Sequence, residues 1–369
     1  MKIAFFCNEF PPKNYGGFGI FVQILSRELA RLGHEITIIE LGNQSSTRYQ
    51  DGIRFSTISY PKIPLLSWIS LRLCLWVWIL GQVRCRKIDI LEIPDFEGIL
   101  PLPVPLRVVV RLHKSLTAIR INSGQKLSLR IYLLEMLTIK FSSRWIGVSK
   151  FIIEHTEKLF HCSRPRKCAI IFNPVNFHNE TVVPDNLPKG RLIIFIGTVC
   201  ILKGAVFLAK AMKDILNEIR DIHLVYVGKI NTNEKIIEQI RAAVGENFER
   251  KVHLLGQKSH QEVRGVLSKA TALCLPSNIE SFAIVVAEAI TVGVPVIVPD
   301  EPPFTEYVEN GKHGLRIQKK SVEEWKSGIL KILMAIRSDT IHSNSLEAKS
   351  NLTFDPFVCA QKTLQLYQS

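Results

Sequence analysis

The chain has 369 residues, of which 47% are hydrophobic, and it carries a formal net charge of +14 at pH 7. This length and composition predict a globular protein of two domains, and the positive charge favours an anionic partner: a nucleotide, an anionic lipid surface or a nucleic acid. Because the sequence has no arginine-rich or lysine-rich run and no zinc-finger or RNA-recognition pattern, we expect no nucleic-acid partner.

The eight cysteines are scattered along the chain, and no two of them form a C-x-x-C pair. This spacing indicates reduced thiols in a cytoplasmic protein rather than a disulfide or zinc framework. The first residues run directly into a strand, so no cleavable signal is evident.

The chain begins with a βαβ pattern. Lys2–Cys7 is predicted to be a buried strand, followed by the loop Asn8–Gly19, a helix over Ile20–Leu32 and a strand at Glu35–Glu40. The paired glycines of the loop, Gly16 and Gly17, would let the backbone approach a phosphate or an acceptor closely. A flexible turn would show the same pattern.

Residues 63–87 form a strongly apolar stretch. Its first part, Ile63–Ile79, holds three tryptophans and one charged residue, Arg72. Because it is short for a membrane span, we expect a helix packed on the first sheet. The alternative is a surface helix that dips into a membrane. The basic residues that would then meet lipid phosphates are Arg84, Arg86 and Lys87.

Two further strands end in polar residues. Ile88–Ile93 is followed by Asp95, and Arg107–Leu112 is followed by His113. Ligand crevices of doubly wound folds lie beyond the carboxyl ends of the strands, so His113 is placed to contact a substrate. A capping or structurally satisfied histidine is the alternative.

A second βα series begins after the polar, proline-rich segment Val182–Gly190, which indicates an interdomain linker. A strand at Leu192–Ile196 leads into the loop Gly197–Gly204 and then a helix over Ala205–Ile219. Lys203 adds a point charge at the start of that helix, which suits a diphosphate. A solvated lysine is the alternative.

The most informative pattern of the chain is a strand–loop–helix–strand unit. The apolar runs Thr271–Leu275 and Val294–Val298 predict buried parallel strands, with a helix from about Ser281 to Thr291 between them. Glu288 lies in the middle of this apolar helix, where a carboxylate needs hydrogen-bond partners. Glu280 precedes the first turn, so both carboxylates could border one cleft.

The same unit predicts an anion site. The amides of Ser281, Phe282 and Ala283 would point out of the helix N-terminus. With Glu280 and Glu288 as acceptors for hydroxyl groups, the unit suits a nucleoside diphosphate sugar. The alternative is a structural unit in which Glu288 pairs with an arginine or lysine.

The run P-S-x-x-E-S-F-x-x-x-x-x-E-A-x-x-x-G-x-P-V-I-V, which starts at Pro276, resembles the signature of the family 4 glycosyltransferases. The resemblance implies the GT-B fold: α/β, with two Rossmann-like, doubly wound parallel-sheet domains facing a central cleft. It also implies that Glu280 contacts the donor sugar and that Glu288 holds the ribose.

Three shorter segments also resemble the family. The P-P-x-x-x-G-G loop would line the acceptor side through Gly16 and Gly17, and R-L-H would place His113 against the donor sugar or an acceptor hydroxyl. The segment G-x-x-x-x-x-K-G, residues 197–204, would hold the diphosphate, although the family often has arginine where Thr198 stands. The predicted catalytic residues are His113 and Glu280. The predicted donor-binding residues are Gly197, Thr198, Lys203, Glu280, Ser281, Phe282, Ala283 and Glu288.

The resemblance predicts a retaining hexosyltransferase that moves a sugar from a nucleoside diphosphate sugar to a saccharide or lipid-linked acceptor, in glycan or envelope polysaccharide synthesis. The sequence has no D-x-D motif, so we expect no metal and no cofactor besides the nucleotide-sugar co-substrate. We expect a cytoplasmic protein, and the alternative in which residues 63–87 dip into a membrane would make it peripheral on the inner membrane face. The alternatives are a sugar-nucleotide epimerase of the same fold and a non-catalytic nucleotide-sugar-binding protein.

The predicted domain division follows the linker. Residues 1–180 would form the acceptor-binding domain, with a C-terminal helix at 351–369 that crosses back to it. Residues 181–350 would form the domain that binds the nucleotide sugar.

Overall fold

In the computed structural model of the chain, residues 1–11, 16–176, 181–278, 280–318, 321–337 and 353–369 are described. The chain divides into two compact α/β units. Unit 1 comprises Met1–Pro174 and Phe354–Ser369, and unit 2 comprises Val175–Thr353. The division precedes the predicted boundary at residues 180 and 181, and the first residues of the predicted C-terminal crossing lie outside the described residues.

Unit 1 is built on an eight-stranded sheet. Its strands are β1 (Lys2–Phe6), β2 (Glu35–Leu41), β3 (Ser46–Gln50), β4 (Ile53–Ile58), β5 (Ile90–Pro94), β6 (Arg107–Leu112), β7 (Arg144–Gly147) and β8 (Cys168–Ile170). They lie in the order β3-β4-β2-β1-β5-β6-β7-β8. All pairings are parallel except that of the edge strand β3 with β4.

Five helices accompany this sheet along the first part of the chain. They are α1 (Gly17–Arg31), α2 (Ser67–Arg84), α3 (Leu116–Asn122), α4 (Leu129–Lys140) and α5 (Lys150–Phe160). The central strands β1 and β5 are buried almost throughout, because a parallel sheet is covered on both faces.

Unit 2 is built on a six-stranded sheet, and the strand pairings among its described residues are all parallel. Its strands are β9 (Arg191–Ile196), β10 (Ile222–Val227), β11 (Val252–Leu254), β12 (Ala272–Cys274), β13 (Val296–Pro299) and β14 (Gly314–Ile317). Its helices are α6 (Ala205–Glu218), α7 (Ile236–Val244), α8 (Phe248–Lys251), α9 (His260–Leu267), α10 (Ile284–Thr291) and α11 (Val322–Arg337).

The strands of unit 2 lie in the order β11-β10-β9-β12-β13-β14. In a doubly wound sheet the strand order indicates where a ligand binds. The chain proceeds outwards from β9 to β10 and β11, and then returns to place β12 on the other side of β9. The loops after β9 and β12 therefore leave in opposite directions. This is the topological switch point, outside which doubly wound sheets bind their ligands.

The last helix of the chain, α12 (Pro356–Gln368), belongs to unit 1. Its Tyr367 hydroxyl donates to the buried Glu92 carboxylate, which also accepts from Arg111 Nε at 2.7 Å. Arg111 donates in turn to Thr363 Oγ1 at 3.3 Å. Both charged groups are therefore paired and hydrogen-bonded, as burial requires, and this network fastens α12 to the sheet.

The apolar helix α2 is only partly covered. Leu75 and Ile79 are its only fully buried residues. Arg72 turns towards the protein, where its guanidinium donates to the carbonyls of Gly98 and Trp68 at 2.7 Å. Among the described residues, no helix is both long enough and apolar enough to cross a membrane. The expected packing on the sheet is thus limited to one short stripe of α2.

Candidate functional site

The loops after β9 and β12 contact each other at the switch point of unit 2. Lys203 Nζ donates a hydrogen bond to Glu280 Oε1 at 2.6 Å. The two side chains are only 30% and 12% exposed, so this ion pair is less screened than a surface pair. The structure thus brings together two predicted donor residues, one assigned to the diphosphate and one to the sugar.

Gly204 allows this contact. It adopts a left-handed backbone with φ +79°, and a Cβ at this position would lie 2.4 Å from the carbonyl oxygen of Pro276. The N–H of Asn278 also donates to the carbonyl of Leu202 at 3.2 Å. The loop that carries Lys203 is therefore held against the loop after β12 by its backbone as well as by the ion pair.

The helix α10 begins later than predicted. It starts at Ile284, because Ala283 adopts a left-handed backbone with φ 55°. Phe282 is buried, and its carbonyl accepts a hydrogen bond from the Tyr307 hydroxyl. The expectation that the amides of Ser281, Phe282 and Ala283 open the helix is therefore wrong, and the first-turn amides are those from Ile284 onwards.

Glu288 is buried within α10. Its Oε1 is hydrogen-bonded to Nε2 of His260, and Nδ1 of His260 faces Arg264 at 3.5 Å. Burial lowers the pKa of Arg264, and the negative charge of Glu288 opposes that shift. The group bonded directly to the predicted ribose carboxylate is thus a histidine, with an arginine behind it.

Thr198 is exposed and follows Gly197, whose φ is +145°. The turn after β10 approaches so closely that a Cβ at Gly228 would lie 2.0 Å from the Gly197 carbonyl oxygen. Since threonine has no charge, Lys203 is the one charged residue in the sequence of residues 197–204. A diphosphate at this loop would depend mainly on that lysine.

We expect Lys203→Ala to weaken binding of a nucleoside diphosphate by roughly 1.5–3 kcal/mol, as for hydrogen bonds to a charged group, and to leave binding of the nucleoside almost unchanged. Titration calorimetry with both ligands measures the difference. Lys213→Ala, which removes an exposed lysine of α6 outside the loop, is the matched control. An equal loss for nucleoside and nucleoside diphosphate would show that Lys203 acts only through the structure.

In unit 1, His113 follows β6 as predicted. Its ring packs against Phe18 and Phe21, with ring centroids 5.1 and 4.9 Å away. Nε2 is buried, without a hydrogen-bond partner among the described residues. Burial lowers the pKa of His113 to about 3, with a further contribution from Arg111. The imidazole is therefore neutral at pH 7.

Asp95, at the end of β5, orients the start of the neighbouring loop. Its side chain is fully buried, and Oδ1 accepts from the N–H groups of His113 and Lys114 at 3.0 and 3.2 Å. Burial raises the pKa of Asp95 to about 7; the two amides oppose this shift, and Glu135 adds to it. The carboxyl that positions the backbone of His113 therefore titrates near neutrality.

Glu135 is a second buried carboxylate in this region. Oε1 accepts from the N–H groups of Leu116 and Glu97 at 2.8 and 3.0 Å, and Oε2 accepts from that of Thr117 at 3.1 Å. Burial raises the pKa of Glu135, although these hydrogen bonds oppose the shift. The carboxylate thus joins the loop after β5 to the start of α3.

Gly16 and Gly17 lie at the start of α1, because the helix begins at Gly17 with Gly16 as its N-cap. This start is earlier than the predicted one at Ile20. A Cβ at Gly16 would lie 2.4 Å from Glu9 Oε2. Burial raises the pKa of Glu9, and the carboxylate of Glu97 adds to the shift. The predicted acceptor region therefore contains two further carboxylates.

The opposite pKa shifts of Asp95 and His113 make a testable prediction about stability. Because the pKa of Asp95 is raised in the folded state, its contribution to the free energy of unfolding is fully present in acid. That contribution is lost as the pH rises from about 4 to about 7. Because the pKa of His113 is lowered, stability is lost as the pH falls from about 6.5 to about 3. Each slope is at most roughly 1.4 kcal/mol per pH unit.

Urea unfolding of the wild type, Asp95→Asn and His113→Phe across pH 4–8 separates these slopes. We expect Asp95→Asn to gain stability relative to the wild type as the pH rises. His113→Phe should instead gain relative stability as the pH falls. A stability difference that does not change with pH for either variant would contradict the assignment of that titration.

His260 and Glu9 lie outside the motifs that the sequence pattern singled out. His260 is a lone histidine, and only the S-x-x-E pattern at 259–262, a capping box in the structure, could have placed it at a helix start after β11. Glu9 follows β1 closely, so its position beyond a strand end was the available signal. The predicted catalytic residues belong to different units: His113 to unit 1 and Glu280 to unit 2.

Comparison with known proteins identifies the family. A model described as Glycosyltransferase Family 4 matches residues 15–179, and one described as Glycosyl transferases group 1 matches residues 179–339. An uncharacterized glycosyltransferase of Methanocaldococcus jannaschii is 24% identical, across 100% of this chain and 98% of that protein.

Solved structures show the same fold. Sucrose-phosphate synthase from Thermosynechococcus elongatus superposes with a TM-score of 0.79 at 18% identity, covering 99% of this chain and 98% of that one. The Anabaena protein HepE, solved with UDP and glucose, gives 0.73 at 16% identity, covering 100% and 99%. The chain therefore has the GT-B fold and belongs to the family 4 glycosyltransferases, enzymes that transfer a sugar from a nucleotide sugar.

Proposed function

We propose that this protein transfers a hexose from a nucleoside diphosphate sugar bound by unit 2 to a saccharide or lipid-linked acceptor bound by unit 1, in glycan or envelope polysaccharide synthesis. The anomeric configuration of the sugar is retained. Lys203 supplies the positive charge for the leaving diphosphate, so the reaction needs no metal ion. Catalysis rests on positioning the donor and stabilising the leaving group.

The observation that carries this proposal is the Lys203–Glu280 pair at the switch point of unit 2. A cation for the diphosphate and a carboxylate for sugar hydroxyls lie there within hydrogen-bonding distance of each other. In the complex with the donor we expect the lysine to contact the diphosphate and the carboxylate to accept from the sugar. Glu288 would accept from the ribose.

The acceptor proposal rests on the start of α1 in unit 1. Burial raises the pKa of Glu9, and the nearby Glu97 carboxylate adds to the shift. Phe18, at the start of α1, packs against the rings of Phe96 and His113. Carboxylates beside aromatic rings suit sugar hydroxyls, which form charge-assisted hydrogen bonds. The UDP and glucose bound by HepE support a nucleotide sugar as the donor in unit 2.

Incubation with radiolabelled nucleotide sugars and extracted acceptors tests the proposal. We expect label in a saccharide or lipid-linked product, or slow hydrolysis of the donor when the acceptor is absent. Label that remains in a nucleotide sugar with an altered sugar would indicate an epimerase. Binding of the nucleotide sugar without any turnover would indicate a non-catalytic protein.

A lipid-linked acceptor is supported by the exposed apolar surface of unit 1. Beside Leu65, which is 92% exposed, this surface contains further exposed side chains of α2, α3 and α4 and the segments before them. They are Ile63, Leu66, Leu73, Val77, Ile119, Ile121, Leu127, Leu129 and Leu133. Arg130 lies over the ring of Trp68 at 5.2 Å, so α4 adjoins α2. Apolar side chains with basic neighbours suit an anionic membrane surface.

The basic residues predicted to accompany this surface lie at the other end of α2. Arg84 ends the helix, roughly 27 Å from its start by the helical rise, and the carbonyl of Arg86 accepts from Lys2 Nζ at the start of β1. Arg120, Lys126 and Arg130 are nearer to the exposed leucines in sequence. We therefore expect the apolar residues to matter more for membrane contact than the 84–87 cluster.

Vesicle co-sedimentation measures this contact. The wild type should bind anionic vesicles at low salt, and binding should weaken as salt screens the charges. Leu65→Gln with Leu66→Gln should remove most of the binding. Changing Arg84, Arg86 and Lys87 together to Gln should weaken it much less, because the contribution of about 1 kcal/mol per charge applies to charges close to the membrane surface and these lie at the other end of α2. A wild type that stays in the supernatant at low salt would contradict membrane association and favour a soluble acceptor.

A further inference from the structure

His260 occupies a rigidly held position. It is the first residue of α9, whose N-cap Ser259 forms a capping box with Glu262. The following residue, Gln261, accepts a hydrogen bond through its carbonyl from the N–H of Val182 at 3.2 Å. A Cβ at Gly265 would lie 2.0 Å from the Val182 carbonyl oxygen. The helix therefore packs closely against the segment around Val182, near the start of unit 2, which fixes the backbone of His260.

The contacts of His260 indicate its tautomer. An arginine guanidinium has only donors, and Arg264 faces Nδ1 of His260 at 3.5 Å. An Nδ1 that meets a donor presents its lone pair, so this contact favours the tautomer with a proton on Nε2. That N–H then donates to Oε1 of Glu288. The chain of contacts runs from the Arg264 guanidinium through the His260 imidazole to the Glu288 carboxylate.

This arrangement constrains a carboxylate that would otherwise rotate. Glu288 lies in an apolar helix, and one fixed donor at Oε1 sets the plane of its carboxylate while the other oxygen remains able to accept from a ligand. We infer that His260 is a positioning residue for donor binding, which orients Glu288 towards the ribose hydroxyls and is itself held in the required tautomer by Arg264. This inference rests on the proposed function, in which Glu288 binds the ribose.

Calorimetric binding of UDP, ADP and GDP to the full chain, in a double-mutant cycle, tests the inference. With the nucleoside diphosphate that binds most tightly, His260→Ala should weaken affinity about tenfold, as for the loss of one hydrogen bond to a charged group. In a Glu288→Ala background, which lacks the carboxylate that His260 would orient, the same change should have little further effect. His260→Gln, which keeps an N–H donor near the position of Nε2, should recover most of the affinity.

Two controls separate positioning from general disturbance. His223→Ala removes another partly buried histidine of unit 2, one that is paired with His253, and it should leave affinity unchanged. A 2′,3′-dideoxynucleoside diphosphate lacks the hydroxyls assigned to Glu288, so the wild type and His260→Ala should bind it equally. A structural defect would weaken binding of both ligands alike, and His260→Gln would not restore it.

The results separate a failure of this inference from a failure of the proposed function on which it rests. Unchanged or tighter binding by His260→Ala, while Glu288→Gln weakens binding, would overturn the positioning role and leave the proposed function in place. Additive losses in the double variant would overturn it in the same way. If the wild type binds none of the three nucleoside diphosphates, the proposed function fails, and the inference fails with it.

Discussion

Glu288→Gln is expected to weaken binding of the donor nucleoside diphosphate by roughly 1.5–3 kcal/mol, the range for hydrogen bonds to a charged group. Glutamine retains the shape of the side chain and an oxygen that can still accept from His260 Nε2. The substitution therefore removes the charge that strengthens hydrogen bonds from the ribose hydroxyls. Titration calorimetry measures the loss in a variant whose folding is checked by circular dichroism.

A comparison of two ligands separates the role of Glu288 from that of Lys203. Because Glu288 is assigned to the ribose, its substitution should weaken binding of the nucleoside as much as binding of the nucleoside diphosphate. Lys203→Ala should affect only the ligand that carries phosphates. A folded Glu288→Gln protein with wild-type affinity would refute the assignment of this carboxylate to the ribose.

Gly204→Ala is expected to destabilise unit 2 by roughly 2–5 kcal/mol. A left-handed backbone costs a residue other than glycine roughly 1–2 kcal/mol. The new Cβ, 2.4 Å from the Pro276 carbonyl oxygen, adds an overpacking cost of typically about 1–3 kcal/mol. Urea denaturation measures the change in unfolding free energy. Donor binding should weaken too, because the loop that carries Lys203 must move away from its neighbour.

Gly256→Ala is the matched control for that substitution. Gly256 also has a positive φ, +69°, but no heavy atom of the described residues lies within 4 Å of the point that a Cβ would occupy there. Gly256→Ala should therefore be destabilised only by the cost of the left-handed backbone, and it should bind the donor as tightly as the wild type. Equal destabilisation by the two substitutions would mean that the contact between Gly204 and Pro276 does not hold the loops together.

The buried elements of this fold were predictable because their signal is strong. Runs such as Leu192–Ile196 and Val296–Val298 are continuously apolar, and strands covered on both faces require that composition. β3 was not predicted, since all five of its residues are exposed and the segment STRYQ has no apolar pattern. Its antiparallel pairing with β4 is determined by tertiary contacts.

The start of α10 shows where sequence reasoning about the site failed. Residues 281–291 continue the apolar pattern without a break, which predicts one helix. The left-handed backbone of Ala283 interrupts it. Alanine rarely adopts this conformation, so the sequence does not predict the interruption. The expectation that the amides of Ser281 and Phe282 lie at the N-terminus of this helix was wrong for this reason.

Pairings within the site depend on strand order, which the sequence does not state. Lys203 and Glu280 are 77 residues apart and meet because β9 and β12 are neighbours. The bond between His260 and Glu288 likewise requires α9 and α10 to adjoin. The resemblance to the family identified the predicted donor residues individually, but their present partners became apparent only from the structure.

Proton nuclear magnetic resonance of the anomeric signals during turnover tests the central claim most directly. The protein is incubated with a nucleoside diphosphate sugar and an acceptor that supports transfer. We predict that the donor signal is replaced by that of a glycoside with the same anomeric configuration, together with free nucleoside diphosphate. A product of inverted configuration, or a nucleotide sugar altered in its ring without release of the diphosphate, would contradict the account.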